Sequence, residues 1–420
     1  MSVTDPSPVP PAAPAMPRVC AGVDWAKDDH AVCVVGLEGE VLHRFSVRHD
    51  AAGLRGMTRR LLAAGVTDVG IERPDGPVVE ALLQAEITVL VIPPVQVKNL
   101  RGRYGSAGNK DDRFDAYVLA DTVRTDHRRL RPLVRDTEAT TALRTTVRAR
   151  RDLVAHRVAV ANQLRAHLQL VFPGVVGLFW GIDSAISLAF LTRFTTQDQA
   201  DWLTPKRLSA WLRSVGYCGR RTAEALHAHL TGAVRGASGD HALLHAGTTT
   251  AYLSVLRALN TQIEALATSI SEQLALHPDA CVVTNLPKAG TVRAARLLAE
   301  IGDARGRFPT ADSLACLAGV APSTRQSGKV RSVSFRWGAD KQLRDALCDF
   351  AGDSRHANPW AADLYDRARA RGHDHPHAVR VLARAWVDVI WRCWQNHTAY
   401  DPTTHRALQR VLNQDQPAAA

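Results

Sequence analysis

Long apolar runs are missing from this 420-residue chain. None approaches the roughly 18–20 residues needed to cross a bilayer, which excludes a helical membrane span. Paired cysteines are missing as well. Seven occur, at positions 20, 33, 218, 281, 316, 348 and 393, and no two form a Cys-x-x-Cys pair. An odd, scattered set speaks against a disulfide framework or a cysteine-based zinc site and fits a reducing compartment. No basic start followed by an apolar core opens the chain, so no secretory signal is expected and the cytoplasm is the expected location. Acidic residues are in deficit, 41 Asp and Glu against 52 Lys and Arg, a net charge of +11. That excess favours a polyanionic partner and is silent about the fold. What is present is enough to fold: 46% apolar and 22% charged residues exclude a wholly disordered chain, and the length suits two or three domains.

Six prolines within residues 1–17 predict an extended, disordered leader. Residues 18–130 read as an α/β domain in the order βββαβαβα. Strands are expected at 19–25, 30–37 and 41–47, a helix at 51–64, a strand at 69–72, a helix at 76–85 and a strand at 87–92. After Pro93-Pro94, a loop rich in Gly and Arg leads to a helix at about 112–125. A meander followed by βα units implies a mixed sheet flanked by helices. The middle, 137–278, offers two long helices, 137–170 and 249–276, around an insert at about 180–245. Their narrow apolar stripes suit a coiled coil or an ordinary bundle, paired as an antiparallel hairpin or between chains. Residues 279–400 read as a mostly α-helical domain with a polar loop at 321–333, and 401–420 as a tail frayed after Gln414.

Four carboxylates stand where chemistry is easily placed. Asp24 ends the first strand, and Glu72 ends a later one, just before a turn. Asp112 and Asp115, three apart, share one face at the start of a helix. Bare, the four would repel one another. Hard divalent cations relieve this, Mg²⁺ above all, and two metals about 4 Å apart would clamp both oxygens of a phosphoryl displacement.

The strand order with Asp…Glu…Asp-x-x-Asp resembles the RuvC/RNase H-like nuclease fold. More specifically, Gly22-Val23-Asp24-Trp25-Ala26-Lys27, Ile71-Glu72 and Lys110-Asp111-Asp112-Arg113-Phe114-Asp115-Ala116 resemble the DEDD transposases of the IS110 family. Asp111 stands where that family usually has Ser or Thr, so Asp111 competes with Asp112 as the ligand, and the register with Lys110 favours Asp112.

A Gly turn precedes the helix within 286–302, in a helix–hairpin–helix-like or plain helix–turn element. There Lys288, Arg293 and Arg296 add charge and free backbone N–H groups suit a phosphate. Gly319-Val320-Ala321-Pro322, Arg325-Gln326-Ser327-Gly328-Lys329 and Trp337-Gly338 with Arg344 resemble the C-terminal domain of the same family. The resemblance implies that Ser327 is the nucleophile on DNA, with Ser323, Ser332 and Ser334 as rivals. Arg325, Lys329 and Arg331 are expected to hold the phosphodiester. It implies a transposase or recombinase of an insertion sequence that joins carboxylates and serine into one active site. Its expected partners are element and target DNA, a structured noncoding guide RNA, and further copies of the chain as a dimer or tetramer. Between Lys98 and Arg165, sixteen Lys and Arg face eight Asp and Glu. Arg101, Arg103, Arg148 and Arg151 in this strip are expected on nucleic-acid phosphates. Trp337 and Tyr104 either stack on bases or sit in the core. Two other readings compete: a metal-dependent, structure-selective nuclease resembling a Holliday-junction resolvase, and a noncatalytic nucleic-acid-binding protein.

Overall fold

A computed structural model describes residues 19–104, 111–328 and 330–414. The leader expected at 1–17, Lys110, Lys329 and the end of the chain past Gln414 lie outside them. The chain divides into two compact units, Met1–Arg135 and Asp136–Ala420.

In the first unit, Val19–Asp24 (β1), Asp29–Val35 (β2) and Val41–Arg48 (β3) form the antiparallel meander. Val66–Ile71 (β4) and Thr88–Val91 (β5) run parallel to β1. The sheet order is β3-β2-β1-β4-β5. Its helices are Ala51–Ala63 (α1), Pro77–Gln84 (α2), Pro94–Arg101 (α3) and Asp112–Asp126 (α4). The helix α3 replaces part of an expected loop. Pro94 occupies its first turn, where a missing N–H costs nothing, and Val97 reaches the core.

Alternation assigns the two faces of the sheet. Ala21, Val23, Val69 and Ile71 pack against Met57 and Leu61 of α1 and Val78 and Leu82 of α2. Cys20 and Cys33 pack with Leu119 and Val123 of α4 on the other face.

The second unit begins with Glu138–Val171 (α5). Ala185–Arg193 (α6), Gln197–Ala200 (α7), Pro205–Ser214 (α8) and Ala223–Gly232 (α9) fill the insert before Gly239–Leu276 (α10). The two long helices pack antiparallel within one chain. Thr140 Oγ1 and His277 Nε2 are 2.8 Å apart, Gln273 Nε2 donates to Thr146 Oγ1 at 3.0 Å, and His167 Nε2 lies 3.0 Å from Thr249 Oγ1. α10 starts ten residues before the apolar stripe because its first turns bury little: Leu243 and Leu244 face solvent. The seam is not continuously dry. Val147 and Ala161 of α5 are buried, whereas Val158 between them is half exposed.

Leu143, Val147, Ile270 and Leu274 share a core with the C-terminal helices, so the expected boundary near 279 separates no independent core. Those helices are Ala280–Thr284 (α11), Gly290–Ile301 (α12), Ala311–Leu317 (α13), Lys341–Ser354 (α14), Pro359–Ala370 (α15), His375–Asn396 (α16) and Arg406–Gln414 (α17). Two sequence expectations need correction here. Residues 401–414 are not a loose tail, because Leu408 is buried and α17 docks on α15. The polar loop at 321–333 is a hairpin of Ser323–Ser327 (β6) and Val330–Ser334 (β7), turned at Gly328, whose φ is +55°. No helix among the described residues is long and apolar enough to cross a membrane.

Candidate active site

Two glycines set the position of the acidic centre. Gly22 and Gly70 are register partners on β1 and β4. A Cβ on Gly22 would lie 2.1 Å from the Ala116 carbonyl oxygen and 2.5 Å from the Ala120 nitrogen. One on Gly70 would meet Leu119 O at 2.9 Å. The bare backbone of both strands therefore lets α4 lie directly on the sheet. Its direction is set at the far end, where Arg124 Nη1 donates to Leu37 O at 3.2 Å and His127 Nε2 lies 3.2 Å from Asp68 Oδ1. Leu37 follows β2 and Asp68 pairs with Cys20, both at the amino end of β1. So α4 runs against β1, and its first turn lies toward the carboxyl ends of β1 and β4.

Those ends carry Asp24 and Glu72. Each comes one residue after the register pair Val23↔Ile71, on strands spaced about 4.8 Å apart. Each is half-buried, and alternation directs Asp24, like Cys20 and Gly22, to the α4 face. Asp112 opens α4 and is exposed. Asp111 is the helix cap, its Oδ1 accepting from the Arg113 nitrogen at 3.2 Å, and Asp112 and Asp115 are the acids of the first turn. Asp115 is buried, and both of its oxygens accept from Arg101, Nε to Oδ1 and Nη2 to Oδ2, each at 2.5 Å. Asp112 and Asp115 thus share a helix end but not an environment.

The residues next to the strand-end acids form a wall that no linear pattern announces. Trp25 follows Asp24 and Arg73 follows Glu72, and the Arg73 guanidinium lies 4.4 Å from the Trp25 ring centre. Beneath, the Trp25 ring stacks on His30 at 6.4 Å and meets His49 edge-on. His30 is fully buried. Its Nδ1 accepts from the Ala26 nitrogen at 3.3 Å and its Nε2 lies 2.8 Å from His49 Nδ1. Burial first, and then His49, lower the His30 pKa, so it is neutral at pH 7. The segment that follows Asp24 is tied down by these contacts.

The donor set at the acidic centre is carboxylate oxygen, the type a hard divalent cation takes. Among the described residues, no group of three or more His, Cys, Asp and Glu is close enough to hold a metal ion. The pair Asp24 and Glu72 nonetheless fits Mg²⁺ chemistry, which commonly uses one or two carboxylates and completes its shell with water and substrate phosphate. Asp115, committed to Arg101, does not join them in this structure.

Ser327 ends β6, is exposed, and pairs with Val330 across the turn. Ser332 and Ser334 are exposed on β7, while Ser323 is half-buried at the hairpin base. Arg325 and Arg331 are exposed on the two strands. Lys288 is exposed at φ +60° in the turn between α11 and α12, and its carbonyl accepts from Arg293 Nη1 at 2.9 Å.

Several of the expected phosphate-contacting arginines have carboxylate partners. Arg148 makes a two-pronged contact with the buried Glu300, Nε to Oε1 at 2.9 Å and Nη2 to Oε2 at 2.6 Å. Arg151 donates to Gln342 and Asp345, and Arg293 to Asp349 and Asp353. With Arg101 on Asp115, four of them pair with carboxylates that lie elsewhere in the sequence. Arg103 remains exposed, donating to Thr125 Oγ1 at 3.2 Å.

Arg148→Ala should therefore act on stability. It strands Glu300, only 1% exposed in its side chain, and should cost about 3 kcal/mol in the second unit's denaturant unfolding. DNA affinity at fixed salt should stay within about twofold, and its salt slope should not move. A slope shallower by about one would mark a phosphate contact instead.

The first unit carries Asp24 and Glu72 at adjacent strand ends of a mixed sheet, and the second, largely helical, carries an exposed hairpin with Arg325 and Arg331. The family model DEDD_Tnp_IS110, described as a transposase, matches residues 21–173, and the model of the transposase IS116/IS110/IS902 family matches residues 281–366. The mini-circle putative transposase for IS117 of Streptomyces coelicolor is 32% identical over 401 residues, covering 91% of this chain and 95% of that protein. The uncharacterized 42 kDa protein of insertion element IS900 from Mycobacterium paratuberculosis is 29% identical over 401 residues, 93% of this chain and 98% of that protein. Among solved structures, T. thermophilus RuvC in complex with a Holliday junction substrate matches 28% of this chain and 99% of its own, at 20% identity and a TM-score of 0.23. The chain belongs to the IS110 family of insertion-element transposases, enzymes that act on DNA.

Proposed function

We propose that this transposase cuts and rejoins DNA by attack of the Ser327 hydroxyl on a phosphodiester, assisted by a divalent cation, Mg²⁺, held by Asp24 and Glu72. The observation that carries the reading is the register of those two carboxylates at adjacent strand ends, with the first turn of α4 brought toward them through the Gly22–Gly70 notch. The cation supplies positive charge against the phosphate oxygens. Asp24 and Glu72 hold it, and Asp112 adds negative charge at the same edge. The wall of Trp25, His30, His49 and Arg73 keeps the two strand ends fixed.

At the hairpin, the Ser327 oxygen bonds to phosphorus as a sugar hydroxyl leaves, taking the proton that the serine gives up. Attack of another strand's hydroxyl on the phosphoserine reverses the step and rejoins DNA. Arg325, Arg331 and Lys329 hold the phosphate, and Arg103 and Lys288 add contacts elsewhere. Joining the carboxylates and Ser327 on one phosphodiester, in an assembly of two or four chains with an element-encoded noncoding RNA, belongs to the same reading and draws on the family resemblance.

The test is a trap for a protein–DNA adduct. Wild type and Ser327→Ala are incubated with Mg²⁺, DNA carrying element ends and target, and RNA transcribed from the element's flanks. A denaturation-resistant adduct that maps to Ser327 and vanishes in the variant is the expected result. An adduct on Ser332 or Ser334 would move the nucleophile. Equal cleavage by both proteins without an adduct would replace serine exchange with hydrolysis by a structure-selective nuclease.

A further inference from the structure

Trp337 is 82% exposed, although a core position was one of its two sequence readings. Its indole does not hang loose. It meets Phe335 edge-on at 4.9 Å, and two guanidinium groups contact the Phe335 ring, Arg344 at 4.6 Å and Arg380 at 4.9 Å from its centre. The surrounding backbone is pinned as well. Arg336 Nε donates to Ala321 O at 3.2 Å, and Arg344 donates to Ala318 O at 3.3 Å and to Arg336 O at 2.8 Å. Residues 323–338 contain three Arg and one Lys and no acid. A large, flat, exposed apolar ring next to a hairpin that carries Arg325 and Arg331 suits a ligand that is flat, apolar on its faces and negatively charged along its backbone.

We infer that Trp337 is a stacking platform for an unpaired base of a DNA strand lying along the β6–β7 hairpin. Stacking on an exposed indole needs a free π-face, which a paired base inside a duplex does not offer. DNA is the committed occupant because the chain is a DNA transposase. The inference concerns binding and stands apart from whether Ser327 is the nucleophile.

The experiment uses the full-length protein with a 15-nucleotide single-stranded DNA in which 2-aminopurine is placed at successive positions. The same sequence as a duplex and as single-stranded RNA are the other arms. Wild type should quench 2-aminopurine at one or two adjacent positions, Trp337→Phe should keep most of the quenching, and Trp337→Ala should abolish it. Affinity of Trp337→Ala for the DNA strand should fall roughly 5- to 100-fold, the loss expected for one stacked base, with duplex affinity unchanged. Unchanged strand affinity, or equal weakening on strand and duplex, would overturn the inference. A loss confined to the RNA arm would overturn the choice of DNA. Every arm reads binding by the intact chain, so the result is separate from the fate of the serine chemistry.

Discussion

A protein carrying Asp24→Asn should bind element DNA as tightly as wild type and complete essentially no strand exchange. The change keeps the shape of the side chain and removes one negative charge from the end of β1. Asp24 is half-buried at a strand end whose neighbour carries Glu72, so its loss leaves a single carboxylate for a divalent cation. A cation that neutralises a phosphoryl transition state contributes several kcal/mol, so the rate should drop by about 10³-fold or more. Glu72→Gln should behave in the same way. Titration with Mn²⁺ gives a second readout: both variants should bind it at least about tenfold more weakly, with unfolding transitions unmoved. Retained recombination in either variant would remove that residue from the centre. Loss of DNA binding would make it a contact rather than a metal ligand. Asp115→Asn should differ, because its carboxylate answers Arg101, and its first effect should be on stability.

The second large effect concerns a residue with no chemistry. Gly22→Val should destabilise the first unit by about 3 kcal/mol or more and weaken Mn²⁺ binding together with it. The clash is with backbone, the Ala116 carbonyl and the Ala120 nitrogen, which cannot swing aside as a side chain would. Either α4 lifts from the sheet, carrying Asp112 and Asp115 away from β1, or the strands part. The fitting control is Gly56→Ala, in the interior of α1, where an added Cβ meets nothing within 4 Å. There helix propensity alone acts, and the unit should gain about 0.5–1 kcal/mol. Denaturant unfolding of both variants, followed by far-UV circular dichroism, checks the pair. An undisturbed Gly22→Val protein would mean that α4 is held elsewhere.

Much of the first unit was legible because its rules are local. Short apolar runs bounded by turn residues mark β1, β2, β4 and β5, and an apolar face at helical spacing marks α1, so the element order followed without any long-range information. The strand-end acids were legible for the same reason: an acid closing a short apolar run just before a turn stands out. What the sequence left out shares a cause. The partners of Arg148, Arg151 and Arg293 were not legible because Glu300, Asp345, Asp349 and Asp353 are far away in sequence or on other helices, and a charge count carries no partner. Residues 321–333 read as loop because a fully exposed hairpin has no apolar alternation to show. Leu408 read as tail because one short amphipathic helix reveals its burial only once Trp360 and Tyr400 are in place.

The sequence by itself determined the mixed sheet, the two long helices and the positions of Asp24, Glu72, Asp112 and Ser327, because strand and helix periodicity and turn chemistry act over a few residues. Tertiary structure alone decided that Gly22 and Gly70 lie side by side under α4, that Asp115 belongs to Arg101, that Arg73 covers Trp25, and that Trp337 faces solvent. Each of these depends on register between strands or on the packing of one element over another, and such neighbours are chosen by the whole fold.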